Sequence, residues 1–331
     1  MTAPREDPTV GELTEGEILR RILARLGPSR ALIGPGDDAA VLASPDGRVV
    51  ATTDTLVHGP DFRLAWSSGF DLGWKSAAVN LADVAAMGGR PTALLVALAM
   101  PNDTRVSFVE RLADGLRDAC AALAPGCAVE GGDLTVSDTL TIAVTALGSL
   151  EGRPPVRRGG ARAGDVLAVA GDLGLAARGL DLLFGRFRDD LGNPVAVDPL
   201  MLTAAETAAV TAQLRPQPPV GLGVAAAEAG ATAMMDVSDG LLLDASRLAA
   251  ASGVTLEIDT AVLGPDPAHA LTGGEDHALL ACFPAGAALP LGFHRIGTVT
   301  AAGRHPVLVD GQPHTSGGGW DPYRDWDAQV G

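Results

Sequence analysis

The sequence predicts a layered fold of the α/β (α+β) class, built in two halves of similar size. Three observations predict it. Apolar runs of strand length alternate with longer stretches in which apolar residues recur every three or four positions. Turns rich in Gly and Asp separate these stretches. A segment at 151–164, dense in Gly, Pro and Arg, divides the chain, so 1–150 and 151–331 are expected to be separate domains. At about 100–200 residues per domain, 331 residues are enough for two cores.

The elements follow in order. Residues 11–26 are expected to be helical: Thr14 and Glu17 make a capping-box pair, Ile18, Ile22, Leu23 and Leu26 form one stripe, and Gly27-Pro28 stops it. The turn Gly34-Pro35-Gly36-Asp37-Asp38 should feed a strand at 39–43, with another at 48–53. A long helix at 69–87 ends at Gly88-Gly89-Arg90-Pro91, and Asn80, Asp83 and Met87 share one of its faces. A strand at 92–100, a helix at 105–123, a strand at 127–130 ending in Gly131-Gly132-Asp133, and a strand at 139–147 complete the first half. The second half opens with a strand at 166–170, which Gly171-Asp172-Leu173-Gly174 turns into a helix at 175–183. Ala-rich helices are expected within 199–214 and at 220–228. A strand at 232–235 meets Asp236-Val237-Ser238-Asp239-Gly240 and a helix at 241–251. Strands follow at 254–258 and, after Gly273-Gly274-Glu275-Asp276, at 278–283.

Composition narrows the function. With 47% hydrophobic and 19% charged residues the chain reads as a packed globular protein. Forty acidic residues against 24 basic ones give −16, the wrong sign for wrapping nucleic acid. Cys120, Cys127 and Cys282 are odd in number and lack C-x-x-C spacing, which argues against a disulfide framework or a zinc ribbon and fits a reducing, cytoplasmic setting. The first residues lack the layout of a signal peptide. The apolar run at 93–100 is far short of the ~20 residues that span a bilayer.

What composition does not explain is the placement of carboxylates. Asp37, Asp38, Asp54, Asp83, Asp133, Asp236, Asp239, Glu275 and Asp276 fall at the ends of expected elements, with almost no lysine among them. One such residue would simply be solvated, but the recurrence points to a cation site. Oxygen ligands arriving singly, with water completing the shell, suit Mg²⁺. Walker and protein-kinase motifs are absent. A nucleoside triphosphate must still have its charge offset before a nucleophile can approach, so the pattern reads as a phosphotransferase relying on several Mg²⁺ ions. The four arginines of the divider, Arg153, Arg157, Arg158 and Arg162, are either a solvated linker or include one that reaches a phosphate.

Taken together, these motifs resemble the thiamine-monophosphate kinase family of the aminoimidazole-ribonucleotide synthetase-like ATP-binding superfamily. They are Gly34-Pro35-Gly36-Asp37-Asp38, Thr53-Asp54-Thr55, Asn80-Leu81-Ala82-Asp83, Gly131-Gly132-Asp133, Asp236-Val237-Ser238-Asp239-Gly240 and Gly273-Gly274-Glu275-Asp276. The resemblance covers nearly the whole chain. It implies ATP-dependent, Mg²⁺-assisted phosphorylation of thiamine monophosphate to thiamine diphosphate, by direct in-line attack of the substrate phosphate on the γ-phosphorus. It further implies a homodimer whose N-terminal mixed sheets form a barrel, with C-terminal α/β domains closing the sites. Residue by residue, Asp38, Thr52, Thr53, Asp54, Asp83, Asp133, Asp236 and Asp239 match metal positions, Asp54, Asp133 and Asp239 being the expected catalytic set. Gly132, Asp133, Arg158 and Ser238 match positions around ATP; Glu275 and Trp320 match the thiamine end.

The chain departs from the family at three places. Asp61-Phe62 stands where His-Phe is usual, Leu134 replaces a Thr, and His277-Ala278 replaces Tyr-Glu. All three fall nearer substrate than metal, and Asp61 takes the substrate-contacting place of the His. Among related families, selenophosphate synthetases carry a reactive Cys or selenocysteine near the N-terminus, and the hydrogenase-maturation relative ends in a catalytic Cys. This chain has no Cys before Cys120 and ends Gln329-Val330-Gly331. A non-catalytic nucleotide-binding regulator is the reading from a different class, and retention of each expected metal Asp argues against it.

Overall fold

Strands before residue 150 and strands after residue 165 belong to different sheets in the computed structural model, which describes residues 7–35, 39–314 and 319. The first half runs α1 (Glu15–Leu26), β1 (Val50–Val57), α2 (Gly69–Ala86), β2 (Arg90–Met100), α3 (Val106–Leu123), β3 (Ala128–Val136) and β4 (Thr141–Ser149). Its sheet has the order β1-β4-β2-β3, with β2 and β3 parallel and the other pairs antiparallel. On β4, Ile142, Val144 and Ala146 are fully buried, alternating with half-buried Thr141, Ala143 and Thr145, so one face packs and the other is left more open.

The second half runs β5 (Val166–Ala170), α4 (Leu175–Arg186), α5 (Ala204–Leu214), α6 (Val220–Glu228), β6 (Ala233–Val237), α7 (Leu241–Ser252), β7 (Val254–Ile258), α8 (Pro267–Thr272), β8 (Ala278–Phe283), β9 (Phe293–Ala301), β10 (Val307–Val309) and β11 (Gln312–Pro313). Among the described residues these strands form a sheet of order β11-β10-β7-β9-β5-β8-β6. β8 is buried along its whole length, which explains its unbroken apolar sequence.

The helix that joins the halves is α2. Ser68 caps it, accepting from the Asp71 N–H, and 14 of its 18 residues are buried. Leu81, Val84 and Ala85 share one core with Ile142 and Val144 of the first sheet and with Ala168, Met234 and Leu279 of the second. α3 crosses it closely: a Cβ on Gly73 would stand 2.0 Å from Leu112 O, so only glycine fits there. A second core, around Leu167, Leu241, Leu248, Ile258 and Ile296, lies on the other face of the second sheet.

Three sequence expectations need correction. The strand at 39–43 is reduced to a single bridge between Ile33 and Val41, because Leu32, Ile33 and Val41 are exposed with no layer to pack on. The strand expected at 48–53 runs on through Asp54 to Val57, paired with β4 down to Thr141. Gly131-Gly132-Asp133 is no turn but the middle of β3. There a Cβ on Gly132 would stand 2.0 Å from Val96 O, so the glycine permits close approach of two strands. α8, β9, β10 and β11 are elements that the sequence reading lacked. Among the described residues no helix is long and apolar enough to cross a membrane.

Candidate active site

β1 and α2 bring the first carboxylates together. The pleat turns Thr52 and Asp54 to the α2 side of the sheet. Thr52 Oγ1 donates to Asp83 Oδ2 at 2.7 Å, and the Asp54 N–H donates to Asn80 Oδ1 at 3.1 Å. Asn80 is buried and its own amide donates to Ser76 O at 2.9 Å, which fixes the orientation that meets Asp54. Asp236, at the end of β6, is buried and stands 3.2 Å from His277 Nδ1.

These groups act on one another. Burial raises the Asp54 pKa, with Asp236 and Asp239 adding to it and His277 opposing. Burial, then the charges of Asp236 and Asp54, holds the Asp83 carboxyl well above the usual carboxylate range, against the Thr52 hydroxyl and His277. Carboxylates that repel one another in a partly dry site favour a bound cation. Among the described residues no three Asp, Glu, His or Cys side chains stand close enough to enclose a metal ion on their own. Each carboxylate instead offers single oxygens from a separate element, and phosphate or water oxygens must complete any shell.

The loop after β6 links this cluster to a cavity. Asp239 pairs with Arg247 at 2.5 Å, and Arg247 also meets Asp244 at 2.7 Å. Asp244 is completely buried and accepts from the Asp239 N–H at 3.0 Å; burial pushes its carboxyl up to about 6. Ser238 O accepts from the Glu275 N–H at 2.8 Å and Val237 O from the His277 N–H at 3.1 Å, lacing two turns together. Glu275 and His277 both take left-handed backbone, φ 73° and 54°, which non-glycine residues adopt at a cost.

The cavity, of about 360 Å³, lies between the segment after β1, α2, α4 and the Glu275 turn. Asp61, Trp66, Lys75, Phe184, Ser238 and Glu275 are among its walls. Asp61 Oδ2 accepts from the Val57 N–H at 2.7 Å. Burial raises the Asp61 pKa and Glu275 adds to it, while the Val57 N–H, Lys75 and Arg63 oppose. Trp66 meets Phe184 edge-on at 4.9 Å between ring centroids, and its indole N–H donates to Phe187 O at 3.1 Å. Lys75 Nζ lies 2.5 Å from Glu275 Oε2.

Of the residues singled out in the sequence, Thr52, Asp54, Asp83, Asp236 and Asp239 gather at the cluster, and Ser238, Asp61 and Glu275 at the cavity. Others lie elsewhere. Thr53 faces the opposite side of β1, its hydroxyl donating to Val144 O at 3.0 Å. Gly132 and Asp133 sit on β3, the far edge of the sheet from β1. In register Asp54 aligns with Val144, Val96 and Gly132, so three strand spacings, about 14 Å, separate Gly132 from Asp54. Arg158 is exposed and its carbonyl accepts from Ser252 at 2.7 Å, at the C-terminal end of α7, about 17 Å along the helix from its start at Leu241 beside the Asp239 loop. Asp37, Asp38 and Trp320 lie outside the described residues. Sequence reasoning missed Trp66, Phe184 and Lys75; for Lys75 a signal existed, since it is the only lysine in the chain.

Comparison with known proteins places this geometry. The family model for AIR synthase related protein, N-terminal domain, matches residues 36–150. A thiamine-monophosphate kinase from Mycobacterium tuberculosis is 41% identical across 98% of this chain and 96% of its own length. The crystal structure of thiamine-monophosphate kinase from Stenotrophomonas maltophilia is 35% identical with a TM-score of 0.75, covering 91% of this chain and 98% of that one. AaThiL, solved in complex with AMPPCP and TMP, is 32% identical with a TM-score of 0.72, covering 96% and 99%. Escherichia coli HypE, a hydrogenase maturation protein at 19% identity and TM-score 0.67, shares the fold. With identity of this order along nearly the whole of both chains, the chain belongs to the thiamine-monophosphate kinase family.

Proposed function

We infer that this chain is a kinase that uses ATP to phosphorylate thiamine monophosphate to thiamine diphosphate. One observation carries the reading: carboxylates from β1, α2 and β6 meet beside a cavity whose wall joins two acidic groups, Asp61 and Glu275, to the aromatic faces of Trp66 and Phe184. The complex of a family member with AMPPCP, an ATP analogue, and TMP supports both substrates.

The division of labour follows from charge. The cavity sets the carboxylates of Asp61 and Glu275, balanced by Arg63 and Lys75, among aromatic side chains; the carboxylates suit the cationic thiazolium and the rings suit the flat aminopyrimidine. The substrate's phosphate then extends toward Ser238 and the carboxylate cluster, where an oxygen of that phosphate attacks the γ-phosphorus in line and ADP leaves. Thr52, Asp54, Asp83, Asp236 and Asp239 are the described residues that would hold Mg²⁺, with Asp38 added from the sequence motif. When bound, the ions would offset the charge of the phosphates. Asn80 fixes the Asp54 backbone, and the Glu275 turn fixes Ser238, so ligands and cavity share one frame. Asp54, Asp133 and Asp239 are proposed as the catalytic carboxylates, Gly132 and Arg158 as contacts to ATP, and Trp320 as a contact to thiamine. The active assembly is proposed to be a homodimer of two chains, 1–150 forming the dimerising domain and 151–331 the closing one. The three buried, free cysteines support a reducing, cytoplasmic setting.

The test is to incubate the purified chain with ATP, Mg²⁺ and thiamine monophosphate and to weigh the products. Thiamine monophosphate heavier by one phosphoryl group is the expected result. ADP released without that product would overturn the substrate, and no ADP at all would overturn the kinase reading.

A further inference from the structure

The chain contains 23 arginines and one lysine, and that lysine is Lys75. Arginine serves the ion pairs at the surface, such as Arg90 with Glu151 and Arg111 with Asp114. The lysine is buried, 4% exposed, in the cavity wall. An ammonium has three N–H donors and a compact charge, and this one meets two accepting oxygens and one carboxylate. Gln213 O accepts at 3.2 Å. Gln213 Oε1 accepts at 3.2 Å when the amide is turned so that its nitrogen donates to Ala176 O. Glu275 Oε2 is the third group, an ion-pair partner at 2.5 Å. Glu275 carries the only charge of the three, and its side chain is 40% exposed toward the cavity. A guanidinium would offer a planar fork of five donors in place of a compact point charge with three, and the converging acceptors do not match it.

We propose that Lys75 is the positioning residue for the thiamine head: it pins the Glu275 carboxylate against the cavity and offsets one of the two negative charges that Glu275 and Asp61 place there. The proposal rests on the assignment of the cavity to thiamine monophosphate. Two features give it a geometric reason. Glu275 sits in strained left-handed backbone tied to Ser238, so its Cα is fixed by the turn while its carboxylate is fixed by Lys75. α2 also carries Asp83 eight residues on, about 12 Å along the axis. One rigid helix therefore sets the distance between the group holding the head and a carboxylate of the phosphate end. The electrostatics agree: burial opposes the ionisation of Glu275, and Lys75 with His277 outweighs it, holding the carboxyl below its usual value.

A single lysine makes the test direct. In protein grown on lysine labelled with carbon-13 at Cε, one side-chain resonance reports Lys75 without assignment. Thiamine monophosphate, and thiamine alone, should shift that resonance, while AMPPCP with Mg²⁺ should leave it in place. Lys75→Arg and Lys75→Met should each raise the KM for thiamine monophosphate about 10- to 100-fold, with a smaller change in kcat and the KM for ATP unaltered. If the Met variant fails to fold, the wild-type resonance still decides. A resonance indifferent to thiamine monophosphate, in a chain that makes thiamine diphosphate, would overturn the proposal. So would variants that lower the melting temperature and kcat while leaving that KM untouched, as a purely structural lysine would. A chain that makes no thiamine diphosphate overturns the substrate reading first, and the proposal with it.

Discussion

Asp54 and Asp83 sit on different elements, yet the charge of Asp236 makes ionisation of both more costly, and Asp54 adds to that cost at Asp83. Such crowding destabilises a fold unless a cation is bound, so stability would be traded for the proposed metal site. Asp83→Asn tests this, because an amide oxygen can still accept from Thr52. Without Mg²⁺ the variant should melt at or above the wild-type temperature, while turnover falls by at least about 100-fold. A lower melting point with turnover intact would mean that Asp83 is structural. Asp276 is a second buried carboxyl of a different kind: its Oδ1 accepts from the Ala176 N–H at 2.8 Å and so holds the start of α4, whose Ala177 and Phe184 line the cavity. Burial pushes its pKa from 3.8 up to about 6, with Asp172 adding and the Ala176 and Gly174 N–H groups and His277 opposing. The folded state therefore holds this proton more tightly than the unfolded one. The resulting stability is full below about pH 4 and is lost as pH rises through about 6. Asp276→Asn should flatten thermal stability between pH 4 and 6 and raise it at pH 8, relative to wild type; an unchanged slope would count against this. At this scale the carboxylates were legible because Asp beside Gly, Ser or Thr at element ends is a local pattern. Trp66 and Phe184 were not, since 118 residues separate two rings that touch only after folding.

α2 is the element on which the site depends, and it was legible to within a residue at its C-terminal end. Its capping serine and its Gly88-Gly89 stop are local signals, and its Ala-rich body is what a helix buried on nearly all sides requires. Its closeness to α3 was not legible, because it depends on glycines meeting backbone from a distant segment. Gly73→Ala would drive a Cβ into Leu112 O. We expect it to cost about 1–3 kcal/mol or more, as overpacking does, and to loosen the helix that carries Lys75, Asn80 and Asp83. A thermal melt within error of wild type would show that α3 can move aside without loss. β3 taught the opposite lesson. Gly131-Gly132-Asp133 carries a turn-like composition, yet tertiary pairing with β2 keeps it extended. Gly132 is there because strand backbone approaches it, a reason that composition cannot distinguish from a turn.

At the scale of the whole molecule, the far position of Asp133 becomes informative. β1 and β3 are the two edges of the first sheet, and most of β1 and the second half of β3 are exposed or half-buried. Exposed edges of this kind call for a partner or a cover. A second copy placed edge to edge would set β1 of one protomer beside β3 of its partner, closing two four-stranded sheets into a barrel. The register then matters: Asp54 lies on the same line across the sheet as Gly132. Within one chain that line is about 14 Å long; in a dimer whose shared edge kept this register it would shrink to about one strand spacing of 4.8 Å. On this reading each site takes Asp54 from one protomer and Asp133 from the other. Asp54→Ala and Asp133→Ala should each abolish turnover as homodimers while leaving light scattering at twice the chain mass. Unfolded together and refolded as a 1:1 mixture, half of the dimers would be mixed, and each mixed dimer would hold one wild-type site out of two. Turnover should return to about one quarter of the wild-type value. Recovery at that level requires the two residues to meet across the interface. If the mixture stays inactive while wild-type protein refolds, both residues act within one chain; if light scattering shows a monomer at micromolar concentration, the edges are covered in some other way.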